Sequence, residues 1–551
     1  MIRMTPTGFL VVLAASANLH AQVNIYPAVR ADIGNTGPAV EPAIVASTLA
    51  PGELLVGWID WRTGKNQIGY AISVDAGNTF TDGVLTVPSE LGPTLLTQNS
   101  ADPMVACDPL TGDLWIGGFS TTQTQDPNGL FIARKALGVS SLGTSIMIEG
   151  PNTGANPKTD KPLMAAGPNP FNPAEAYLYA TWNRSGAAPP PFYNAFHKVT
   201  PRRVRVPDTG APGSFGPAWI GDPASFVSQS NDPFHGAGSL GPFPVVIPAT
   251  SPQNRGRLVV VWRTKLWRAV LSDDAGQTWT PSTSPYYHSV LPSAEDAGED
   301  DIPGPFKFSG VPSVSVDRNT GSVYAVVAAR REPGSKNVDL WVHRSLDQGA
   351  TWPANQVFHL TDADLGTVAQ SYYPDQFMPS IVIDDFGAVN LLWYDTRQDG
   401  GVLKDDHPSA LLDAYYARIV NLGGPSQTIE VHRLTSQTFT TAITNPNHPY
   451  GSNGVANNPQ FVGDYQWIAA SGCQVYPCYM SAHTGERHVY VHRINICPTD
   501  TDDSGLIAAS DAVLFIQLFP VGDPRADINR DQVVNAADAV EFQARFAAGG
   551  P

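Results

Sequence analysis

Positive charge is scarce in this chain. Against 50 Asp and Glu stand 33 Lys and Arg, giving a formal net charge of −17 over 551 residues. That deficit argues against a broad surface for nucleic acid or another polyanion. Charged residues of both signs make up only 15 %, which is not the composition of a helical bundle or coiled coil. Cysteine is limited to Cys107, Cys473, Cys478 and Cys497, with no C-x-x-C pair to suggest zinc. Beyond the N-terminus no apolar run approaches the roughly 20 residues of a membrane helix. No P-loop, H-E-x-x-H motif or Ser-His-Asp order is present.

Turn formers fill the space left by charge. Gly and Pro are present 50 and 49 times, which points to many short strands and tight turns. The N-terminus has the pattern of a secretory signal peptide: Arg3, an apolar stretch from Phe9 to Ala17, then Leu19-His20-Ala21 before Gln22. The expected divisions are a signal peptide over 1–21, a lead segment over 22–41, a strand-rich body over 42–496 and a small module over 497–551. The expected location is therefore outside the cell or on its surface. Export permits a disulfide. Cys473 and Cys478 lie close enough in sequence to close a hairpin loop, and the pairing of Cys107 and Cys497 is left open.

The body repeats itself. Ser73-Val-Asp75-Ala-Gly77-Asn-Thr79-Phe80, Ser272-Asp-Asp274-Ala-Gly276-Gln-Thr278-Trp279 and Ser345-Leu-Asp347-Gln-Gly349-Ala-Thr351-Trp352 share Ser-x-Asp-x-Gly-x-Thr-aromatic. Each follows an alternating apolar run and suits a tight hairpin: Ser and Asp bond nearby N–H groups, and Gly supplies a positive φ. A longer unit begins at Pro103, Pro312 and Pro379, each with an Asp and a Gly between two apolar runs, and looser copies begin near Pro42, Pro162 and Pro244. With a final unit from Phe461 to Ile494 the count is seven. Radial repetition buries so many short strands without long exposed edges. The expected fold is mainly β: a six- or seven-bladed β-propeller, the count favouring seven, followed by a small α-helical module.

The eight-residue pattern resembles the Asp-box of sialidase-type propellers, where it is a structural turn remote from the pocket. The resemblance implies a pocket at the opposite rim. There Trp58-Ile-Asp60-Trp-Arg62, Trp182-Asn-Arg184, Trp262-Arg263, Ala329-Arg330-Arg331 and Trp393-Tyr-Asp395-Thr-Arg397 should converge. Asp60, Arg62, Asp395 and Arg397 are the candidate rim residues, either as structural ion pairs or as a functional site, with Tyr372, Tyr373, Tyr394, Tyr415 and Tyr416 as candidate pocket aromatics. The family's enzymes use three Arg on the substrate carboxylate, a Tyr–Glu nucleophile pair and an Asp. This chain departs from them. Tyr26-Pro-Ala-Val-Arg30 replaces the first-Arg motif, and Lys65 and Asn66 stand where the Asp is needed. The resemblance thus implies either a non-catalytic recognition propeller for a glycan or a protein, glycoproteins included, or a glycoside hydrolase of the sialidase superfamily that acts in polysaccharide breakdown with altered catalytic residues.

After Cys497 the composition turns acidic. Asp500, Asp502, Ser504, Leu506 and Asp511 repeat as Asp527, Asn529, Asp531, Val533 and Asp538, 27 residues on. Oxygen ligands at loop positions 1, 3, 5, 7 and 12 form a calcium cage, and each loop runs into an apolar helical stretch. The arrangement resembles a dockerin domain. The resemblance implies two calcium ions and a cohesin-like protein or cell-surface scaffold as partner. Its usual recognition positions hold Ala509-Ser510 and Ala536-Ala537, and Gln532 replaces a customary Gly.

Overall fold

The protein was analysed as a computed structural model that describes residues 23–91, 98–122, 128–152, 158–185, 202–205, 240–251, 253–263, 267–276, 278–282, 311–330, 338–366, 374–398, 411–440, 462–529 and 533–548. The expected signal peptide, Tyr372, Tyr373 and Asp531 lie outside these residues.

The fold is mainly β, a propeller of antiparallel meanders followed by a short helical segment. The described strands form seven sheets. The first four begin at Ala39–Ala46, Gln98–Cys107, Lys158–Pro168 and Leu240–Val246. The last three begin at Ser313–Val316, Gln376–Ile383 and Trp467–Ser471. Neighbouring sheets meet through these first strands, and Trp467–Ser471 returns to Ala39–Ala46 to close the ring. Second strands such as Leu54–Asp60 are buried along their whole length, which explains their continuous apolar sequence. Trp58, Trp115, Trp182 and Trp393 recur on these second strands and are buried, filling the wedge between adjacent sheets.

The chain's start completes its last sheet. Val29–Arg30 pairs antiparallel with Tyr490 and Val491, while Asn24–Ile25 pairs with Ile494–Asn495. Within the expected lead segment over 22–41, these strands are thus edges of the seventh sheet while residues 39–41 belong to the first, and the seam of the ring joins residues from both ends of the chain.

The Asp-box hairpins are built alike. Ser73 Oγ–H donates to Asp75 Oδ1, and Gly77 N–H donates to Ser73 Oγ at 2.9 Å. Asp75 accepts from Thr79 N–H and Thr79 Oγ1–H at 2.9 and 2.6 Å. The same bonds recur around Asp274 and Asp347. The residue before each Gly, namely Ala76, Ala275 or Gln348, also takes a positive φ of 57–58°. Two consecutive left-handed residues match the right-handed twist of the flanking strands. These hairpins share one face with the turns after the first strands: Ala76 N–H donates to the Gly52 carbonyl at 2.9 Å, and Asn254 Nδ2–H donates to Gln348 Oε1 at 2.6 Å.

The expected Cys473–Cys478 bridge is corrected by the structure. Cys473 pairs with Cys497, Cα–Cα 5.3 Å, and Cys478 is a buried free thiol. The reason is the register. Cys473 occupies the hairpin turn, but Cys478 lies inside Gln474–Ser481 opposite Trp467. Five residues of extended chain span about 16 Å, well beyond the reach of a disulfide. Ile496 N–H donates to the Cys473 carbonyl at 2.9 Å, which brings Cys497 alongside instead.

The C-terminal segment holds helices Ala509–Leu518 and Ala536–Ala548. Asp511 and Asp538 are fully buried and bond identically. Asp511 accepts from Asp502 N–H and Ala508 N–H at 3.1 and 2.8 Å. Asp538 accepts from Asn529 N–H and Asn535 N–H at 3.1 and 2.8 Å. The equivalent rings of Phe515 and Phe542 stack on each other, centroids 4.0 Å apart. Together with Leu518, Ala526 and Ile528 they form this segment's own small core.

Candidate functional site

The strands Thr280–Pro281 and Phe439–Thr440, which precede two of the longer connections, run toward the face opposite the Asp-boxes, here called the long-loop face. The rim residues read from the sequence sit here. Asp60 pairs with Ala39, and Asp395 with Gln376, each at the start of a first strand. The two pairs are built the same way. Asp60 accepts from the Trp58 indole N–H at 2.9 Å, from Arg62 N–H at 2.8 Å and from Arg62 Nε–H at 2.9 Å. Asp395 accepts from the Trp393 indole at 3.1 Å, from Arg397 N–H at 2.8 Å and from the Arg397 guanidinium at 2.6–2.9 Å. Both carboxylates are fully buried. Arg62 also reaches Asp82 at 2.7 Å, and Arg397 lies 3.8 Å over the Tyr415 ring. Burial works against the Arg397 charge, but Asp395 outweighs it and raises the guanidinium further. Arg30 is engaged elsewhere, by Asp32 at 2.9 Å and the Asn35 carbonyl at 2.6 Å. Tyr394 and Tyr416 are core residues, donating to the Met480 carbonyl and to Asn390 Oδ1 at 2.7 Å each. The structure therefore brings each Asp to its own Arg. Among the described residues, the guanidinium groups of Arg30, Arg62 and Arg397 are each bound to carboxylate.

A second constellation on this face was missed in the sequence. Five first strands carry a bulge, between Val40 and Ala43, Ala101 and Met104, Asp160 and Leu163, Leu240 and Phe243, and Phe377 and Ser380. In each, a residue with positive φ precedes a Pro: Glu41, Asp102, Lys161, Gly241 and Met378. Bulges re-aim side chains. Here they turn Glu41, Asp102 and Lys161 together, joined by Asp464 from the approach to the seventh sheet. Lys161 Nζ lies 3.5 Å from both Glu41 and Asp102 and closer still to Asp464. Asp464 N–H also donates to Glu41 at 3.1 Å. All four side chains are at least nine-tenths buried. Burial pushes Asp102 up to about 6, with Lys161 pulling against it, and pushes Glu41 well above the carboxylate range. Burial opposes the Lys161 charge too, but Asp102, Asp464 and Glu41 outweigh it and hold the ammonium charged. Tyr465 lies beside the cluster and donates to the Pro103 carbonyl at 3.4 Å. A legible signal was available: a charged residue directly before the Pro that opens a repeat, three times in succession.

Toward the Asp-box face, the innermost strands enclose a cavity of about 500 Å³ lined by residues such as Ile44, Val105, Met164, Val245 and Ile381. Its lining is mostly apolar and includes Cys107, whose thiol burial pushes up, together with Arg318 and Asp385.

In the tail, Asp500, Asp502 and Asp511 offer carboxylate oxygens that all lie within 4.8 Å of one another. Asp500 is buried. Burial first, then neighbouring acids, push its carboxyl up to about 7 against a bond from Gly505 N–H. Ser504 Oγ stands 3.4 Å from Asp500. Asp527, Asn529, Val533 and Asp538 occupy the matching places of the second loop, and Asp531 lies outside the described residues.

No family model and no curated protein matches the chain. Solved structures do. A Hadza microbial sialidase is 14 % identical over 67 % of this chain and 66 % of its own, with a TM-score of 0.40. A Dyadobacter fermentans protein of unknown function is 12 % identical over 72 % and 95 %, TM-score 0.39. The Ruminococcus gnavus intramolecular trans-sialidase is 11 % identical over 86 % and 97 %, TM-score 0.38. The chain thus spans slightly less than two thirds of the first of these. Likeness at this level says nothing of activity. No helix among the described residues is long and apolar enough to cross a membrane.

Proposed function

We propose that this is an exported, sialidase-like propeller that recognises a glycan or glycoprotein on its long-loop face without hydrolysing it, and that its C-terminal segment is a calcium-dependent, dockerin-like docking module. One observation carries the non-catalytic reading: Asp60 and Asp395 are each saturated by an indole N–H, a backbone N–H and their own Arg. A general acid or nucleophile needs an oxygen free to meet substrate, and a substrate clamp needs Arg not already bound to carboxylate.

Calcium suits the tail's donor set. Hard oxygen ligands from Asp500, Asp502, Ser504, the Leu506 carbonyl and Asp511 would hold one ion. Asp527, Asn529, Asp531, the Val533 carbonyl and Asp538 would hold the other. A bound cation would supply the positive charge that the buried Asp500 lacks, and folding of the segment would be coupled to it. Val513 and Ile516 on the first helix and Val540 on the second are 58–70 % exposed, an apolar surface suited to a cohesin-like protein or a surface scaffold.

A second reading, a glycoside hydrolase with altered residues, is favoured by the raised carboxyls of Glu41 and Asp102 beside Tyr465. Against it, Lys161 holds both acids in a buried cluster. The test is a glycan array and an aryl-glycoside panel on the secreted protein, with calcium and with chelator. Saturable glycan binding without turnover is expected. Turnover that disappears in Glu41→Gln would replace the recognition reading with the hydrolase one.

A further inference from the structure

The first acidic loop of the tail is built into the seam of the ring. Asp503, at φ 56°, presents its carboxylate to the seam. Tyr26 Oη–H donates to it at 2.5 Å and Asn495 Nδ2–H at 2.7 Å. Arg493 stands 4.0 Å from Asp503 and stacks over the Tyr26 ring at 3.8 Å. Asp500 accepts from Gln474 Nε2–H at 3.3 Å and from Asn495 Nδ2–H at 3.4 Å. Cys473 N–H donates to the Gly505 carbonyl at 2.8 Å. A Cβ at Gly472 would come within 2.2 Å of that same oxygen, so the two loops meet backbone to backbone.

These partners are the two ends of the propeller. Tyr26 lies between the strands Asn24–Ile25 and Val29–Arg30 that enter the seventh sheet from the chain's start. Gln474, Arg493 and Asn495 belong to that sheet and its continuation toward the tail. Beside the contact of Trp467–Ser471 with Ala39–Ala46, these segments tie the chain's start to the last sheet of the ring.

We propose that the first loop is an intrachain clasp: a calcium ion held by Asp500, Asp502, Ser504 and Asp511 stiffens the loop on both sides of Asp503 and thereby stabilises the closing seam of the propeller. This rests on the calcium reading above. The second loop, whose Asp538 is bound by residues of its own turn, serves the tail itself. Coupling of this kind is reciprocal: the seam that holds Asp503 in place also raises the first loop's affinity for the ion.

The chain contains its own reporter. All 12 Trp lie at or before Trp467, and residues 498–551 contain neither Trp nor Tyr. Tryptophan fluorescence therefore follows the ring and not the tail. The full-length protein is titrated with calcium by calorimetry, and its thermal unfolding is followed by tryptophan emission in calcium and in chelator. Two ions bound and a midpoint raised by roughly 2–4 °C at a hundredfold excess over the dissociation constant are expected. Asp502→Asn abolishes the rise, and Asp538→Asn keeps it. Asp503→Ala, which removes no ligand, weakens the first ion about tenfold and loses most of the rise. Tyr26→Phe, which deletes one hydroxyl and leaves the strand pairing intact, does the same in smaller measure. Two ions bound with no change in the tryptophan midpoint, or a full rise retained in Asp503→Ala, would overturn the clasp while leaving the calcium reading intact. Absence of any calcium binding would overturn both.

Discussion

The two faces of the ring are made from the same strands and hold their charges differently. On the Asp-box face the charges form separate pairs, some at the water, as in Arg318–Asp385, where both side chains are about one-third exposed, and some buried, as in Arg134–Asp113 and Arg418–Asp384. On the long-loop face Asp60 and Asp395 are buried with their Arg partners, and three further buried acids share one cation, Lys161. Buried ion pairs contribute little net stability while intact but cost heavily when one partner is removed. Exposed pairs are screened and individually weak. The comparison teaches that the long-loop face is electrostatically rigid at its base, a fixed platform beneath the connections that would carry recognition.

The largest expected effect breaks that platform. Lys161→Met leaves Glu41, Asp102 and Asp464 buried without their cation. We expect a loss of about 3–5 kcal/mol in urea unfolding at neutral pH, with partial recovery in Lys161→Met/Asp464→Asn. A loss below about 1 kcal/mol would show that the cluster is hydrated rather than desolvated.

Next in size is the disulfide on the opposite face. Cys473–Cys497 closes a 24-residue separation, for which chain entropy predicts about 3–4 kcal/mol. Cys497→Ser should lower the midpoint accordingly, whereas Cys478→Ser should leave the bridge intact in non-reducing peptide mapping.

How much of this was legible differs by feature. The Asp-box turns were, because Ser, Asp, Gly and Thr act within eight residues and no distant partner is needed. The duplication of the tail was legible for the same reason, and Phe515 on Phe542 extends it to packing. The disulfide was not, because Cys473 chooses its partner through the register of Gln474–Ser481 against Asn495, a tertiary fact. Nor was the Lys161 cluster: Glu41, Asp102 and Lys161 come from three sheets and are turned together by bulges with unusual backbone angles, and Asp464 joins them from the approach to the seventh. The closing strands at Val29 and Asn24 were hidden by their length of two residues each.

A pH experiment sharpens the same contrast. Asp102 has a folded pKa of about 6, raised from an unfolded value near 4. A raised carboxyl stabilises the fold when protonated. Its contribution is therefore complete below about pH 4 and lost as pH rises through 6. The groups facing it are Glu41, Asp160, Lys161 and Asp464. In saturating calcium, the stability of the natural protein relative to Asp102→Asn should fall as pH rises from 4 to 7. A flat difference would place a compensating proton on Glu41.

The smallest effect belongs to the exposed pair. Arg318 Nη1–H donates to Asp385 Oδ1 at 2.9 Å and Arg318 Nη2–H to the Ala470 carbonyl at 3.3 Å. With about a third of each side chain in water, its Coulomb energy is screened and offset by the entropy of two long side chains. Arg318→Ala should cost less than about 1 kcal/mol, and less again in 1 M salt. Arg397→Ala, on the other face, strips a fully buried Asp395 of its counter-ion, so its cost should be several times larger and nearly independent of salt. Equal costs, or equal salt dependence, would mean that burial of Asp395 does not set the strength of its pair, and the platform would lose its physical basis.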